Sequence, residues 1–394
     1  MPEPIRFEDM STGNRATVLQ AVRDMGPISR ADLARLTGFS ATSVSRIVEE
    51  LKGQDLVVEA PGNLESGPGR PPTLLSLNDR GWFAVAVNVF PDRVHGGLTD
   101  LGGRVLADET LWVTDPAPEA VLALVGRVVE QLRRDAPNPE RVVGIGLAVP
   151  GVVDARRGEI RYSPPIGWRA VDVPSVLARY TSLPVVLDNW VSARARAERW
   201  FGGATGVDEF VYIHASRGIG ASVVRSGGIP PRQTFVSTEF GHVVVNPEGP
   251  RCRCGRRGCL EAYASADALP RYAGQPDRRP EEILAAARAG DPDARQAVAE
   301  TLGYLALGIV SLIHMLNPNR MYVDGWPLTD GIDGLAFLRR AVDERVLEGM
   351  KEQVSLEPTR LTEWGPLIGG VALVLDAVLS RGEAHVKPVE VRGA

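Results

Sequence analysis

The sequence predicts an α/β chain in two parts: a winged helix-turn-helix over residues 1–80, then two related α/β subdomains over residues 81–394. Three observations predict it. Near the N-terminus, apolar residues recur at helical spacing through three segments, the last two joined by a turn containing glycine. From Trp82 onward, short apolar runs end in glycine turns. In that later region the order meander, helix, strand occurs twice.

The first eighty residues read as follows. Asn14–Met25 carries Val18, Leu19 and Val22 on one helical face. A second helix starts at Ser29, with Asp32 three residues on, close to a capping box. Thr37-Gly38-Phe39-Ser40 is a tight turn, and a third helix spans Ala41–Lys52 with Val44, Ile47, Val48 and Leu51 inward. In the helix-turn-helix unit the start of this last helix enters the major groove. Here that start offers Thr42, Ser43, Ser45 and Arg46. Short hydroxyls suit phosphates or base edges, and Arg46 can contact guanine through two hydrogen bonds. Strands at Leu56–Ala60 and Thr73–Leu77 form a wing, whose loop places Arg70 among prolines and glycines. An arginine held so suits a narrow minor groove. The domain is not basic, with nine Arg/Lys against eleven Asp/Glu in residues 1–80. DNA binding is still compatible with this balance if Arg30, Arg46 and Arg70 share one face while Glu49, Glu50 and Glu59 point elsewhere, and that arrangement is expected. The competing reading is a small helical domain that binds protein.

In the longer region, Phe83–Val89, Arg93–Thr99 and Arg104–Asp108 read as a meander, Glu119–Arg134 as a helix and Val142–Val149 as a buried strand. Val185–Leu187 is a further strand, followed by Asn189 and a helix through Trp200. A second meander begins with Phe210–His214 and Ile219–Arg225; helices at Val298–Met315 and Gly370–Leu379 complete the pattern.

Composition narrows the function classes. The formal net charge is −5, so bulk electrostatics do not draw the chain to nucleic acid. Scarce cysteine fits a reducing compartment, and the cytoplasm is expected. Met1–Met10 lacks the apolar core of a signal peptide. Leu305–Leu316 is interrupted by Gly308, Ser311 and His314 and is too short to span a bilayer.

All three cysteines, Cys252, Cys254 and Cys259, fall within eight residues, and His242 stands ten positions earlier. Four such ligands suit a closed tetrahedral Zn²⁺ site, structural because no position is left for water. The alternatives are unliganded thiols, or a disulfide that leaves one thiol over.

These residues carry a family resemblance. Glu239-Phe240-Gly241-His242, followed by Cys252-Arg253-Cys254-Gly255-Arg256-Arg257-Gly258-Cys259-Leu260-Glu261, resembles the signature of the ROK family of repressors and sugar kinases. Gly144–Asp154 and Asn317-Pro318 resemble two further elements of that family. The resemblance runs from about Thr12 onward and, with the winged helix, is closest to the family's transcriptional repressors. It implies an actin-like, hexokinase-like fold of two subdomains, a homo-oligomer, and sugar contacts at Asn189, Glu239, His242 and Glu261. Support of zinc without any sugar is the other reading for Glu239 and Glu261.

ROK kinases carry a carboxylate base after the family asparagine. Here Asn189 is followed by Trp190, which cannot accept a proton from a hydroxyl. Trp190 is instead a candidate to stack on a sugar face. The first phosphate element is replaced by Asn88-Val89-Phe90-Pro91-Asp92, whose proline removes a donor. The second, Ser216-Arg217-Gly218-Ile219-Gly220, survives in part. The expectation is a non-enzymatic regulator that binds a double-stranded DNA operator and responds to a sugar or sugar derivative. An atypical sugar kinase and a ligand-independent DNA-binding oligomer are the competing readings.

Overall fold

The computed structural model describes residues 7–62, 73–227, 232–361, 364–380, 382 and 384. The chain divides into two compact units, Met1–Ala193 with Glu363–Ala394, and Arg194–Thr362.

The first unit opens with the helix Phe7–Met25, longer at its start than its apolar spacing predicts. Ser29 caps the helix Arg30–Thr37: its hydroxyl accepts the Asp32 N–H at 3.1 Å and donates to the Asp32 carboxylate at 2.6 Å. Gly38, at φ +73°, ends that helix in a left-handed conformation that glycine adopts without strain. Ser40 then caps Ala41–Gly53 by accepting the Ser43 N–H, and Val44, Ile47, Val48 and Leu51 are buried as a stripe. Val57–Pro61 and Thr73–Leu77 pair antiparallel with Val57 opposite Leu77, and Ile28–Ser29 adds a short third strand. The loop between the wing strands, including Arg70, lies outside the described residues.

Phe83–Val89, Arg93–Asp100 and Val105–Trp112 form the first meander. Val142–Val149 runs parallel beside Phe83–Val89, and Val185–Asn189 runs parallel beside that. The meander's third strand outruns the expected Arg104–Asp108. It is an edge strand that alternates between half-buried and exposed positions, so its second half lacks a continuous apolar run. Because side chains alternate across a strand, the sheet has two distinct faces. Val85, Val87, Ile145 and Leu147 pack in one core with the helix Pro118–Arg134. The other face takes the helix Gly365–Leu379, which approaches so closely that a Cβ on Gly146 would lie 1.9 Å from the Gly370 carbonyl oxygen. A small sheet of Val152–Asp154, Glu159–Ser163 and Trp168–Asp172 adds to this unit.

The winged helix is seated on this sheet. Asp55 pairs with Arg141 at 2.7 Å, and the Gln54 carbonyl accepts the Trp82 indole N–H at 2.8 Å. Beyond the last helix, Gly382 lies against Arg15 and Ala16, and the Ala384 N–H donates to Gln54 Oε1 at 3.1 Å.

The second unit repeats the sheet. Phe210–Ala215, Ile219–Gly227 and Arg232–Thr238 form its meander. Arg320–Gly325 and Ser355–Pro358 then extend it in parallel on the other side of the first strand. The long helix Pro292–Leu316 packs in its core, with Gly308 against Phe240 and Leu260. It begins earlier than the expected Val298 and is long and apolar enough to cross a membrane by length and composition, contrary to the reading of Leu305–Leu316 alone. Its burial against this core accounts for its apolar content. The helix Trp190–Phe201 carries the chain from one unit into the other.

Candidate functional site

Four donor atoms of the second unit converge. The ligand atoms of His242, Cys252, Cys254 and Cys259 all lie within 4.8 Å of one another. Cys252 Sγ is 3.6 Å from His242 Nδ1, and Cys254 Sγ is 3.7 Å from Cys259 Sγ. Tetrahedral zinc with Zn–S bonds of about 2.3 Å requires sulfur–sulfur edges of about 3.8 Å, so donor chemistry and spacing both fit that ion. The loop turns where its glycines allow. Gly255 and Gly258 have φ of +89° and +72°, and a Cβ on Gly258 would collide with the Asn246 carbonyl. Burial pushes the Cys252 and Cys259 thiols up from their ordinary value, a cost that a bound dication reverses.

The two expected carboxylates flank this cluster. Glu239 Oε2 is 3.7 Å from His242 Nε2, the ring nitrogen turned away from Cys252. This distance is longer than a hydrogen bond and makes the carboxylate a charged neighbour of the ring. Glu261 Oε2 accepts the Ile219 N–H at 3.1 Å, and its other oxygen is 3.7 Å from Cys252 Sγ. Glu261 therefore ties the cluster to the glycine turn at Ser216–Gly220. Glu239 is half-exposed, leaving it accessible to a ligand.

Asn189 and Trp190 belong to the first unit. Asn189 is buried: Nδ2 donates to the Gly151 carbonyl at 2.7 Å, and Oδ1 accepts the Val191 N–H at 2.8 Å, capping the helix Trp190–Phe201. Trp190 packs beside Ala148, Ala193 and Leu373. Its ring meets Phe90 edge-on, centroids 5.9 Å apart, and the Arg93 guanidinium covers Phe90 at 4.3 Å. The two positions that depart most from the kinase pattern thus touch each other.

On the winged helix, Thr42 and Arg46 are exposed, and Ser43 and Ser45 half-buried. Ser43 is partly committed, since it accepts from the Ser40 hydroxyl at 2.9 Å. The acidic residues do not point elsewhere, as the sequence reading expected; they pair with the basic ones. Arg30 contacts Glu49 and Glu59, each at 2.5 Å, and Lys52 reaches Glu59 at 2.7 Å. Arg46 pairs with Glu50 at 2.5 Å. The reason is topological: Arg30 heads the second helix, where the third helix and first wing strand bring Glu49 and Glu59 to it. Hydrogen bonds from Lys52 and Arg30 hold the Glu59 carboxyl below its usual range. Arg30 thus joins helix to wing, whereas Arg46 is more than half exposed.

One polar cluster has no local sequence signal. Asp324 Oδ2 accepts from Arg194 at 2.5 Å, His214 Nδ1 at 2.8 Å and the Tyr212 hydroxyl at 2.9 Å. Burial pushes the Asp324 carboxyl up, but these partners outweigh it and hold it well below the carboxylate range. Burial, with Arg194 adding, pushes His214 down, toward the neutral ring. Buried Glu198 similarly holds a loop, accepting from the Gly203 N–H at 2.6 Å and Thr359 Oγ1 at 2.5 Å.

Fold and site together define a winged-helix transcriptional regulator whose larger part is actin-like. A MarR family model matches residues 12–63 and a ROK family model residues 84–377. The chain belongs to the ROK family. It is 29% identical over 369 residues to the xylose repressor of Bacillus subtilis, covering 93% of this chain and 96% of that one. The DNA-binding transcriptional repressor Mlc of Escherichia coli is 25% identical over 395 residues, covering 95% and 96%. A crystal structure described as a ROK family transcriptional regulator, homolog of the E. coli MLC protein, superposes with a TM-score of 0.80 at 26% identity, covering 95% and 98%. A glucokinase of Thermotoga maritima is 29% identical over 300 residues, covering 72% of this chain and 94% of the enzyme.

Proposed function

We propose that this regulator is a sugar-responsive repressor that has lost phosphotransfer. The carrying observation is the Trp190–Phe90 contact. An indole stands where a ROK kinase keeps its base, and it packs on a phenyl ring that replaces a phosphate-cradling glycine. Tryptophan offers no proton acceptor, and Phe90-Pro91 removes both the room and a backbone donor that a phosphate needs. Similarity to a glucokinase favours the kinase reading by ancestry, but not at these positions.

The candidate effector contacts are Glu239, His242 and Glu261 in the second unit and Asn189 with Trp190 in the first. Carboxylates and an amide suit paired hydroxyls and reject analogues lacking them. Several similar repressors carry names that point to xylose, and the same ligand class is proposed here. Zinc, held by His242, Cys252, Cys254 and Cys259, supplies structural cross-linking of the loop and no reaction step. Glu239 stands beside the His242 ring, and Glu261 links the position of Cys252 to Ile219.

Thr42, Ser43, Ser45 and Arg46 are the proposed readers of the operator, with Arg30 as their support and Arg70 in the wing loop. The regulator works in the cytoplasm as an oligomer, each copy reading one half-site. Effector binding shifts occupancy only through unequal affinity for the DNA-competent and incompetent conformations. Selection of bound DNA from a random pool, with and without a panel of pentoses and hexoses, tests this reading. An enriched palindrome that one sugar abolishes supports it. Sugar-dependent ATP turnover in a coupled assay overturns it.

A further inference from the structure

The second unit holds a cavity that takes no part in the site above. Its volume of about 590 Å³ falls within the range of small-molecule sites, about 300–1,000 Å³. The end of the long helix Pro292–Leu316, the helix Gly334–Asp343 and the strand Ser355–Pro358 line it. Ile313, Val342, Val346 and Leu356, all buried, form an apolar floor, with half-buried Met350 beside them. Arg339, Arg340 and Lys351 bring three cations to the same space. Helical spacing explains the mixture. Arg339, Asp343 and Val346 recur every three or four residues, and the Val346 N–H donates to the Val342 carbonyl at 2.9 Å, which carries that face one turn on.

The cavity lies at the far end of the sheet from the zinc cluster. Ser355 stands opposite Arg320, which starts the strand Arg320–Gly325. Gly325 ends that strand opposite Ala215, at the side of the glycine turn that Glu261 holds. At about 3.3 Å per residue, about 16 Å of strand separates the two places.

Charge and backbone decide what fits. Arg339 Nε donates to the Leu356 carbonyl at 2.9 Å, which holds the guanidinium in place and leaves its Nη groups without a partner among the described residues. The exposed Arg340 side chain has neither an ion pair nor a hydrogen bond among the described residues. Lys351 pairs with Glu348 at 2.7 Å, and Asp343 also lines the cavity. Three cations against two carboxylates leave one positive charge in excess, the complement of a monoanion. A guanidinium fork matches the plane of a carboxylate. Ser355–Pro358 is the edge of its sheet, but an added strand is a poor occupant. The Leu356 carbonyl is already taken, and Pro358 has no N–H to offer.

We propose that this cavity binds a small amphipathic monocarboxylate, with its apolar body on the floor and its carboxylate at Arg339 and Arg340. The proposal goes beyond the proposed function: it adds a second class of ligand at a place apart from the candidate effector contacts. The test uses the full-length, zinc-replete protein, with octanoate as the probe and octanol as its uncharged counterpart. Isothermal titration calorimetry is expected to find one octanoate per chain and octanol bound at least tenfold more weakly. Arg340→Glu is expected to weaken octanoate at least tenfold with an unchanged circular dichroism spectrum, because the Arg340 side chain holds no other group. Met350→Trp, which fills the cavity, is expected to abolish binding. Glu239→Ala is expected to bind octanoate as wild type does. No octanoate binding by wild type, equal affinity for octanol, or wild-type affinity in either cavity variant overturns the proposal. So does loss of binding in Glu239→Ala, which would move the anion to the effector contacts. None of these readouts involves DNA or sugar, so the proposal can fail while the repressor reading stands, and the reverse.

Discussion

Trp190 meets the ring of Phe90 edge-on at 5.9 Å, and the Arg93 guanidinium lies over that ring at 4.3 Å. The contact joins the first turn of a helix to the loop between two meander strands, both of which carry catalytic groups in ROK kinases. Such an aromatic pair contributes about 0.5–1.5 kcal/mol beyond area burial. A double-mutant cycle of Trp190→Ala and Phe90→Ala, read by urea unfolding, is expected to give a coupling energy in that range. Trp190→Asp alone is expected to leave ATP turnover at background, because Phe90 and Pro91 still occupy the phosphate element. A coupled kinase assay checks this.

Metal removal is expected to loosen one defined segment. Elemental analysis should find one zinc per chain, and Cys254→Ser should lower that occupancy. Prolonged chelation is expected to open protease sites between Pro247 and Gly258 and to lower the melting temperature. Ligands must be deprotonated to bind, so zinc affinity is expected to fall as pH falls. A competition titration with a chromophoric chelator at several pH values measures this.

The Asp324 cluster is expected to set acid stability. Its folded carboxyl titrates below the usual range, so its contribution is present above the unfolded value of about 3.9 and is lost as pH falls through the folded value. His214 acts in the same direction from higher pH. Its folded value is lowered, so the unfolded chain takes up the proton first and stability declines below an unfolded value of about 6.5. Asp324→Ala leaves Arg194 and His214 without their shared acceptor and is expected to cost about 3 kcal/mol or more. Thermal melts of wild type and variant between about pH 2 and pH 8 test both statements.

Arg46 and Arg30 are expected to behave differently. Arg46 is more than half exposed and its pair with Glu50 is a surface one, worth about 1 kcal/mol or less, so DNA can take it over. Arg46→Ala is expected to reduce operator affinity by about tenfold, as for one lost base contact of roughly 1–3 kcal/mol, with no change in melting temperature. Arg30→Ala is expected to lower the melting temperature, because it leaves Lys52 as the one remaining of the two cations that bridge Glu49 and Glu59. Glu50→Gln frees Arg46 and is expected to raise non-specific DNA affinity a few-fold. Fluorescence anisotropy at two salt concentrations separates these outcomes.

The sequence made much of this legible, for identifiable reasons. Helix-turn-helix and wing followed from apolar spacing, Gly38 and the caps at Ser29 and Ser40, all signals within a few residues. The metal cluster was legible because three of its four ligands sit in one short loop. The salt-bridged surface was misread because Arg30, Glu49 and Glu59 meet only through tertiary folding. The cluster around Asp324 was not legible for the same reason: its partner Arg194 lies 130 residues away. The three-stranded sheet from Val152 to Asp172 went unpredicted because its strands are short and its exposures irregular.

The close seat of Gly370 on Gly146 fixes an order of events during biosynthesis. Residues 83–189 leave the ribosome before residues 194–362, and the helix Gly365–Leu379 that covers one face of their sheet follows both. The intervening residues 194–362 are complete while that face still waits, bare, for its cover. A chain that stops before Gly365 therefore holds every residue of the second unit from 194 to 362 but leaves one face of the first sheet bare.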